Sequence, residues 1–221
     1  METNKDKLEK VMNKISAGRE YRKMVQLEVR TADDQEENYK VEGYATVFNQ
    51  PYTLYDWGDY VVNEQIDSKA FNECDMSDTI MQYDHAGRVF ARVSNDTLSL
   101  EVDKKGLHVT ADLGGTEEGR KLYEEIKGGY TTKMSFGFTV GEDKREVTND
   151  YDKNVTTVLR TITKITKLYD VSAVSLPAND ATEISARGYC DGVIQELKAE
   201  RLEKCAKTEK LKAECLALLS L

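Results

Sequence analysis

The chain has 221 residues, 39% of them hydrophobic and 32% charged, with a formal net charge of −9. That length suits one substantial domain with an appendage, or two small domains. The acidic balance argues against nucleic acid as a partner, because phosphate binding draws its affinity from cationic side chains.

No apolar run approaches a membrane span, and the charged stretch Met1 to Lys14 is unlike a secretory signal, so no membrane partner is expected. Cys74, Cys190, Cys205 and Cys215 form no Cys-x-x-Cys pair, so neither a disulfide framework nor a zinc site is expected. A reducing cytosolic setting follows. The two histidines, His85 and His108, stand in no metal-ligand spacing, and no glycine-rich phosphate loop is present. No cofactor and no metal are expected.

In chain order, Leu8, Val11, Met12 and Ile15 fall at helical spacing and predict a short amphipathic helix ending near Ala17-Gly18. Val25, Leu27 and Val29 alternate with polar residues as a first strand, and Lys40 to Phe48 reads as a second. The aromatic stretch Tyr52 to Tyr60 reads as a loop or broken hairpin. Thr79 to Tyr83 is a short apolar run ending at Asp84-His85-Ala86-Gly87. Leu98 to Val102 and Leu107 to Leu113 alternate around the turn Asp103-Lys104-Lys105-Gly106, which predicts a hairpin. Thr116 caps a helix whose apolar face is Leu122, Tyr123 and Ile126, and Gly128-Gly129 ends it.

Lys133 to Val140 alternates again: Met134, Phe136, Phe138 and Val140 form a core face, with Ser135, Gly137 and Thr139 opposite. Asp143 to Asn154 is polar and predicted as a loop. Val158 to Ile165 and Leu168 to Leu176 read as two further strands. Asp191 to Leu221 is rich in Glu, Lys, Leu and Ala and reads as a helical tail. The division is thus an N-terminal helical arm over 1–20, a β-rich domain over 24–187 and a C-terminal helical tail over 191–221.

A hydroxyl beside a residue without a side chain leaves room for a reacting group, so Ser135 is a candidate nucleophile and Gly137 a candidate clearance for substrate. On pattern alone, Ser135 is also an ordinary small residue on a half-buried strand. A serine nucleophile needs a base and a group that orients the base. His85, at a strand end, is the better base; His108 shares the polar face of its strand with Thr110 and Asp112. Spacing alone also allows a hydrogen-bonded loop histidine at His85. Asp170 lies in a strand-like run where a carboxylate is not expected. It is a candidate orienting acid, with Asp84 as local competitor and a solvent-facing edge residue as the plain reading. A Cys-His enzyme built on Cys74 has no supporting context.

Six short pieces, in order and compatibly spaced, resemble the prohead proteases of tailed bacteriophages. They are Gly43-Tyr44-Ala45-Thr46-Val47-Phe48-Asn49; Asp67-Ser68-Lys69-Ala70-Phe71; Tyr83-Asp84-His85 with Arg92; Lys105-Gly106-Leu107 through Ile126-Lys127-Gly128; Met134-Ser135-Phe136-Gly137-Phe138; and Leu168-Tyr169-Asp170-Val171-Ser172 with Pro177-Ala178. Lys69 replaces a usual glycine, Asp84 a usual asparagine, and Asp170 stands where glutamate is commoner. The resemblance implies a serine endopeptidase on a fold like that of the herpesvirus assembly proteases: an α+β, β-rich closed barrel with peripheral helices. It implies Ser135 as nucleophile, His85 as base and Asp170 as orienting acid. The turn Pro177-Ala178-Asn179 is the expected source of oxyanion donors, which makes Ala178 and Asn179 substrate-binding positions alongside Gly137. The implied substrates are the scaffolding region of the major capsid protein and the protease itself, inside the assembling prohead in the bacterial cytoplasm. The competing expectation is a non-catalytic assembly component on the same barrel.

Overall fold

From Val155 to Ile162 buried positions alternate with less buried ones, and Asp170 to Val174 are all buried, as befits a strand at the centre of a sheet. The computed structural model describes residues 18–29, 39–174 and 180–219. The elements in order are strands β1 (Glu20–Val29), β2 (Lys40–Val47), β3 (Tyr52–Asp56), β4 (Tyr60–Ile66), β5 (Ile80–Tyr83), β6 (Ala86–Arg92), β7 (Leu98–Val102) and β8 (Gly106–Asp112), helix α1 (Glu117–Lys127), strands β9 (Lys133–Asp150) and β10 (Val155–Val174), and helix α2 (Asp180–Leu219). The molecule is a β-rich α+β protein with ten strands and two helices among the described residues. The expected helix over 1–17 lies outside them.

β9 pairs antiparallel with β10 along its length, and β10 pairs parallel with β4 over Thr156–Ile162 and with β5 over Asp170–Ala173. One long hairpin therefore replaces the two separate strands and the polar loop expected over Asp143 to Asn154. Strand continues to Asp150, and the turn is confined to Tyr151–Asn154. The polarity of that stretch misleads because the ladder is made by backbone groups, and its charges find partners: Arg160 Nε donates to Asp143 Oδ2 at 2.5 Å, and Arg145 Nη1 to Glu196 Oε2 at 2.8 Å. Register shifts between Ile162 and Asp170 bend the pair. Of the loop or broken hairpin expected over Tyr52 to Tyr60, the hairpin forms: β3 pairs with β4, with a register shift between Thr53 and Tyr55.

The strand order is β3-β4-β10-β9-β1-β2-β8-β7, with β5 and β6 attached beside β10. No closed barrel is found among the described residues, which corrects the expected architecture. The path ends at β3 and β7. The end of β2 reaches β4 by an isolated bridge between Phe48 and Ile66. The reason is that β3 and β10 already occupy both edges of β4, and only its last residue is left for β2.

Core side chains come from the faces that the alternation picks out. Phe136, Phe138, Ile162, Ile165, Leu168 and Val171 are buried with Met81 and Leu107. Helix α1 adds Leu122, Tyr123 and Ile126, and its cap is as expected: Thr116 Oγ1 accepts from the Gly119 N–H at 3.0 Å. Helix α2 begins at Asp180, earlier than the tail expected from Asp191, and it lays Cys190 and Val193 on Val62 and Val158. From Lys198 to Lys212 its residues are exposed.

Where α2 crosses the sheet, the interior is charged. Glu64 on β4 is fully buried and accepts from Arg22 Nε, from Arg22 Nη2 at 2.9 Å, from Arg160 Nη1 at 2.9 Å and from Tyr52 Oη at 2.5 Å. Glu20 receives Arg160 Nη1 at 2.9 Å and also Arg22 Nη2. Tyr189 of α2 stacks under Arg160, 3.8 Å from ring centroid to guanidinium carbon. Burial works against the Arg22 charge, but Glu64 and Glu20 outweigh it and hold the guanidinium well above its ordinary range. The Glu20 carboxyl, penalised by burial, is drawn below its ordinary value by Arg22 and Arg160.

Removing one member of such a cluster strands the others without water. Glu64→Ala is expected to destabilise the fold by about 3–5 kcal/mol. Its urea midpoint should fall accordingly, while an unchanged midpoint would mean that the cluster carries no net weight.

Candidate active site

β5 and β6 are joined by the two-residue turn Asp84-His85, with Tyr83 opposite Ala86. Both turn residues have positive φ, 49° and 57°. A tight hairpin needs that conformation, and a non-glycine residue adopts it at a cost of about 1–3 kcal/mol. The Asp84 N–H is held by the Ala173 carbonyl at 3.0 Å. The turn directs the His85 side chain inward, where it is 0% exposed.

Ser135 stands on β9 and Asp170 on β10. His85 Nε2 lies 2.6 Å from Ser135 Oγ, and His85 Nδ1 lies 2.5 Å from Asp170 Oδ1. The carboxylate can only accept at neutral pH, so the network assigns the Nδ1 proton to the side facing Asp170. A register shift between Leu168 and Asp170 sets Asp170 opposite Gly137 and leaves Ser172 opposite Ser135. Asp84, the sequence competitor, is adjacent in the turn, but the carboxylate on Nδ1 is that of Asp170.

Gly137 is where the packing is closest. A Cβ there would lie 2.6 Å from Asp170 Oδ2 and 2.7 Å from Tyr21 Cε1. The clearance expected for a substrate is therefore filled by the Asp170 carboxylate and by Tyr21. The Tyr21 ring also meets His85 edge-on, centroids 4.4 Å apart. The face of β9 opposite Met134, Phe136 and Phe138 is thus covered too: Ser135 is only 1% exposed, as is Asp170.

The surroundings add groups that the sequence reading missed. Ser172 Oγ donates to Asp170 Oδ1 at 2.9 Å. Arg19 lies with its guanidinium 3.5 Å from the Tyr169 ring centroid and 3.9 Å from Asp170 Oδ2. The main-chain carbonyl of Arg22 accepts from Ser135 Oγ at 2.9 Å. Ser172 was findable, since it shares the face of Asp170 two residues on. Arg19 and Tyr21 carry no such signal.

The remaining candidates stand elsewhere. His108 pairs with Glu42, 3.7 Å away, and its ring meets Tyr44. Burial pushes the Cys74 thiol up to about 11, which suppresses the thiolate a nucleophile needs. No group of three or more metal-ligating side chains is gathered among the described residues. Ala178 and Asn179 lie outside the described residues.

A buried line of carboxylate, imidazole and hydroxyl is the chemical arrangement of a serine hydrolase. The family model for caudovirus prohead serine proteases matches residues 25–194. The chain belongs to that family. The caudovirus prohead serine proteases act in phage capsid maturation, and membership makes this chain a serine protease of that kind. No curated protein and no solved structure matches it. No helix among the described residues is long and apolar enough to cross a membrane.

Ser172 shares the very oxygen of Asp170 that faces His85. Ser172→Ala is expected to lower peptidase kcat/KM by about tenfold, the weight of one hydrogen bond to a charged group. Ser172→Thr, which keeps a hydroxyl, should retain most of the rate, and a threonine chain as slow as the alanine chain would leave Ser172 a packing role only.

Proposed function

We propose that this chain is a serine endopeptidase using Ser135 as nucleophile, His85 as general base and Asp170 as the orienting acid. The supporting observation is the continuous pair of short contacts from Asp170 Oδ1 through both ring nitrogens of His85 to Ser135 Oγ. His85 Nε2 takes the hydroxyl proton as Oγ attacks a peptide carbonyl, and the C–N bond breaks as the same proton passes to the leaving amine. Water then attacks the acyl-enzyme with His85 again as base, and the Ser135 hydroxyl is restored. Asp170 keeps its charge throughout and stabilises the imidazolium.

The substrates proposed are the scaffolding region of the major capsid protein and the protease itself, cleaved in the assembling prohead in the host cytoplasm. Family membership supports this reading. A relation in fold to the herpesvirus assembly proteases belongs to the same proposal, with an open sheet in place of the barrel. Nucleic acid, membrane and metal have no part in it.

Co-expression with the phage's major capsid protein, followed by intact mass measurement, tests the assignment. Ser135→Ala should cut the rate by at least about a thousandfold, and Asp170→Ala by about a hundredfold or more. Cleavage that survives Ser135→Ala contradicts the nucleophile. An Asp170→Ala chain as active as wild type, with Asp84→Ala impaired, contradicts the acid.

A further inference from the structure

Ser135 has its hydroxyl on a main-chain carbonyl of its own chain. β1 pairs with β9 through Glu20↔Phe138, Tyr21↔Gly137, Arg22↔Phe136 and Lys23↔Ser135, so the strand beside the nucleophile is the segment around Arg22. Tyr21 and Arg22 are both buried, Tyr21 against His85, and Arg19 leans over Tyr169 toward Asp170. With Arg22 in place no peptide reaches Ser135.

The hydroxyl carries a single proton, and two acceptors lie within reach, His85 Nε2 at 2.6 Å and Arg22 O at 2.9 Å. While that proton is given to Arg22 O it is not given to His85 Nε2, so the hydroxyl is not set for transfer to the base. A carbonyl bonded in this way turns its oxygen to the hydroxyl, so the Arg22–Lys23 bond rests at the nucleophile without being presented for attack.

The side chain of the residue at the nucleophile has a built pocket. The Arg22 guanidinium is fixed by Glu64, which is 0% exposed and also holds Tyr52. Arg22 and Glu20 belong to the same strand segment and together are neutral. Taken away, they leave Glu64 and Asp143 facing Arg160, two carboxylates to one guanidinium. Such a pocket, with the buried Glu64 at its base and one positive charge short, favours a cation. The family match begins at residue 25, after this segment, and β1 changes partner from β9 to β2 between Gln26 and Leu27. Residues 19–23 thus precede both the family match and the part of β1 that β2 holds.

We propose that residues 19–23 occupy the place of an extended peptide substrate along β9, and that Glu64 forms the pocket in which the enzyme takes a basic side chain at the position now filled by Arg22. A peptide adds to the β9 edge by main-chain pairing once the segment leaves, and the pocket supplies selectivity. This rests on the serine-protease reading of Ser135.

Labelling of Ser135 in the full chain tests it, read by peptide mass with three probes. Two are peptidyl aryl phosphonates that differ only in carrying arginine or its neutral isostere citrulline; the third is a small alkyl fluorophosphonate. In each, Oγ bonds to phosphorus and the aryl oxide or fluoride leaves. Arg22→Ala vacates the pocket, and Arg19→Ala loosens the same segment from outside the ion cluster, so the test does not hang on one variant folding. Both substitutions should speed labelling by the arginine probe over wild type. In both, the arginine probe should outrun the citrulline probe by about tenfold or more, since a site built to bond a polar group rejects the analogue that lacks its charge. Adding Glu64→Gln to Arg19→Ala should erase that preference. Equal rates for the two peptidyl probes, or no acceleration by either substitution, overturns the proposal. If the small probe marks Ser135 while the peptidyl probes show no preference, the proposal falls and the protease reading stands. If no probe marks Ser135 in any of these chains, the protease reading falls and the pocket with it.

Discussion

The contact on which the site depends is the one between a buried carboxylate and a buried imidazole. Asp170 and His85 are both cut off from water, so each is tolerable only because the other is there. That pairing fixes which His85 nitrogen faces Ser135, and several local irregularities serve it. The register shift before Asp170 turns the carboxylate onto the face of Ser135. Gly137 supplies the space that the carboxylate and Tyr21 fill. The Asp84-His85 turn accepts two positive φ angles to bring the ring over β9. Each departs from ideal strand geometry, and each loses its reason if the carboxylate–imidazole contact is removed.

A second set of buried charges lies under α2, and it reaches the first through Arg22. The Arg22 side chain belongs to the Glu64 cluster, and its carbonyl belongs to Ser135. Paired residues on neighbouring strands share a face, so Arg22 stands with Phe136 on the core side while Tyr21 stands with Gly137 beside His85 and Asp170. One dipeptide thus touches both interiors. Burying Arg22, Glu64 and Arg160 together, with Glu20 and Asp143 half-buried beside them, is costly, and hydrophobic replacements are often as stable. The cluster's weight therefore lies in fixing where β1 runs along β9 as much as in stability.

Much of the β structure was legible because alternation reports a buried face directly. The β7–β8 hairpin, the capped α1 helix and the core face Met134, Phe136, Phe138 all follow from period and turn residues. The polar half of β9 was not legible, because its partner is β10 and pairing by backbone leaves no apolar trace. Barrel closure was equally invisible, since which strand takes each edge of β4 is a long-range matter. At the site, Ser135, His85 and Asp170 were each singled out as candidates from residue type and place, and the distances now join them. The burial of Ser135 was not foreseen. Alternation says which side of a strand a residue faces, and it does not say what covers that side. Here the cover includes Tyr21, from a segment with no motif of its own.

The central claim is that His85 is held between Asp170 and Ser135 with its Nδ1 proton on the carboxylate. Nuclear magnetic resonance of the full chain with ¹⁵N-labelled histidine reads that proton directly. A far-downfield proton bonded to His85 Nδ1, lost in Asp170→Ala, is the predicted result. A His85 ring protonated on Nε2 alone, or an Nδ1 proton indifferent to Asp170→Ala, would contradict it.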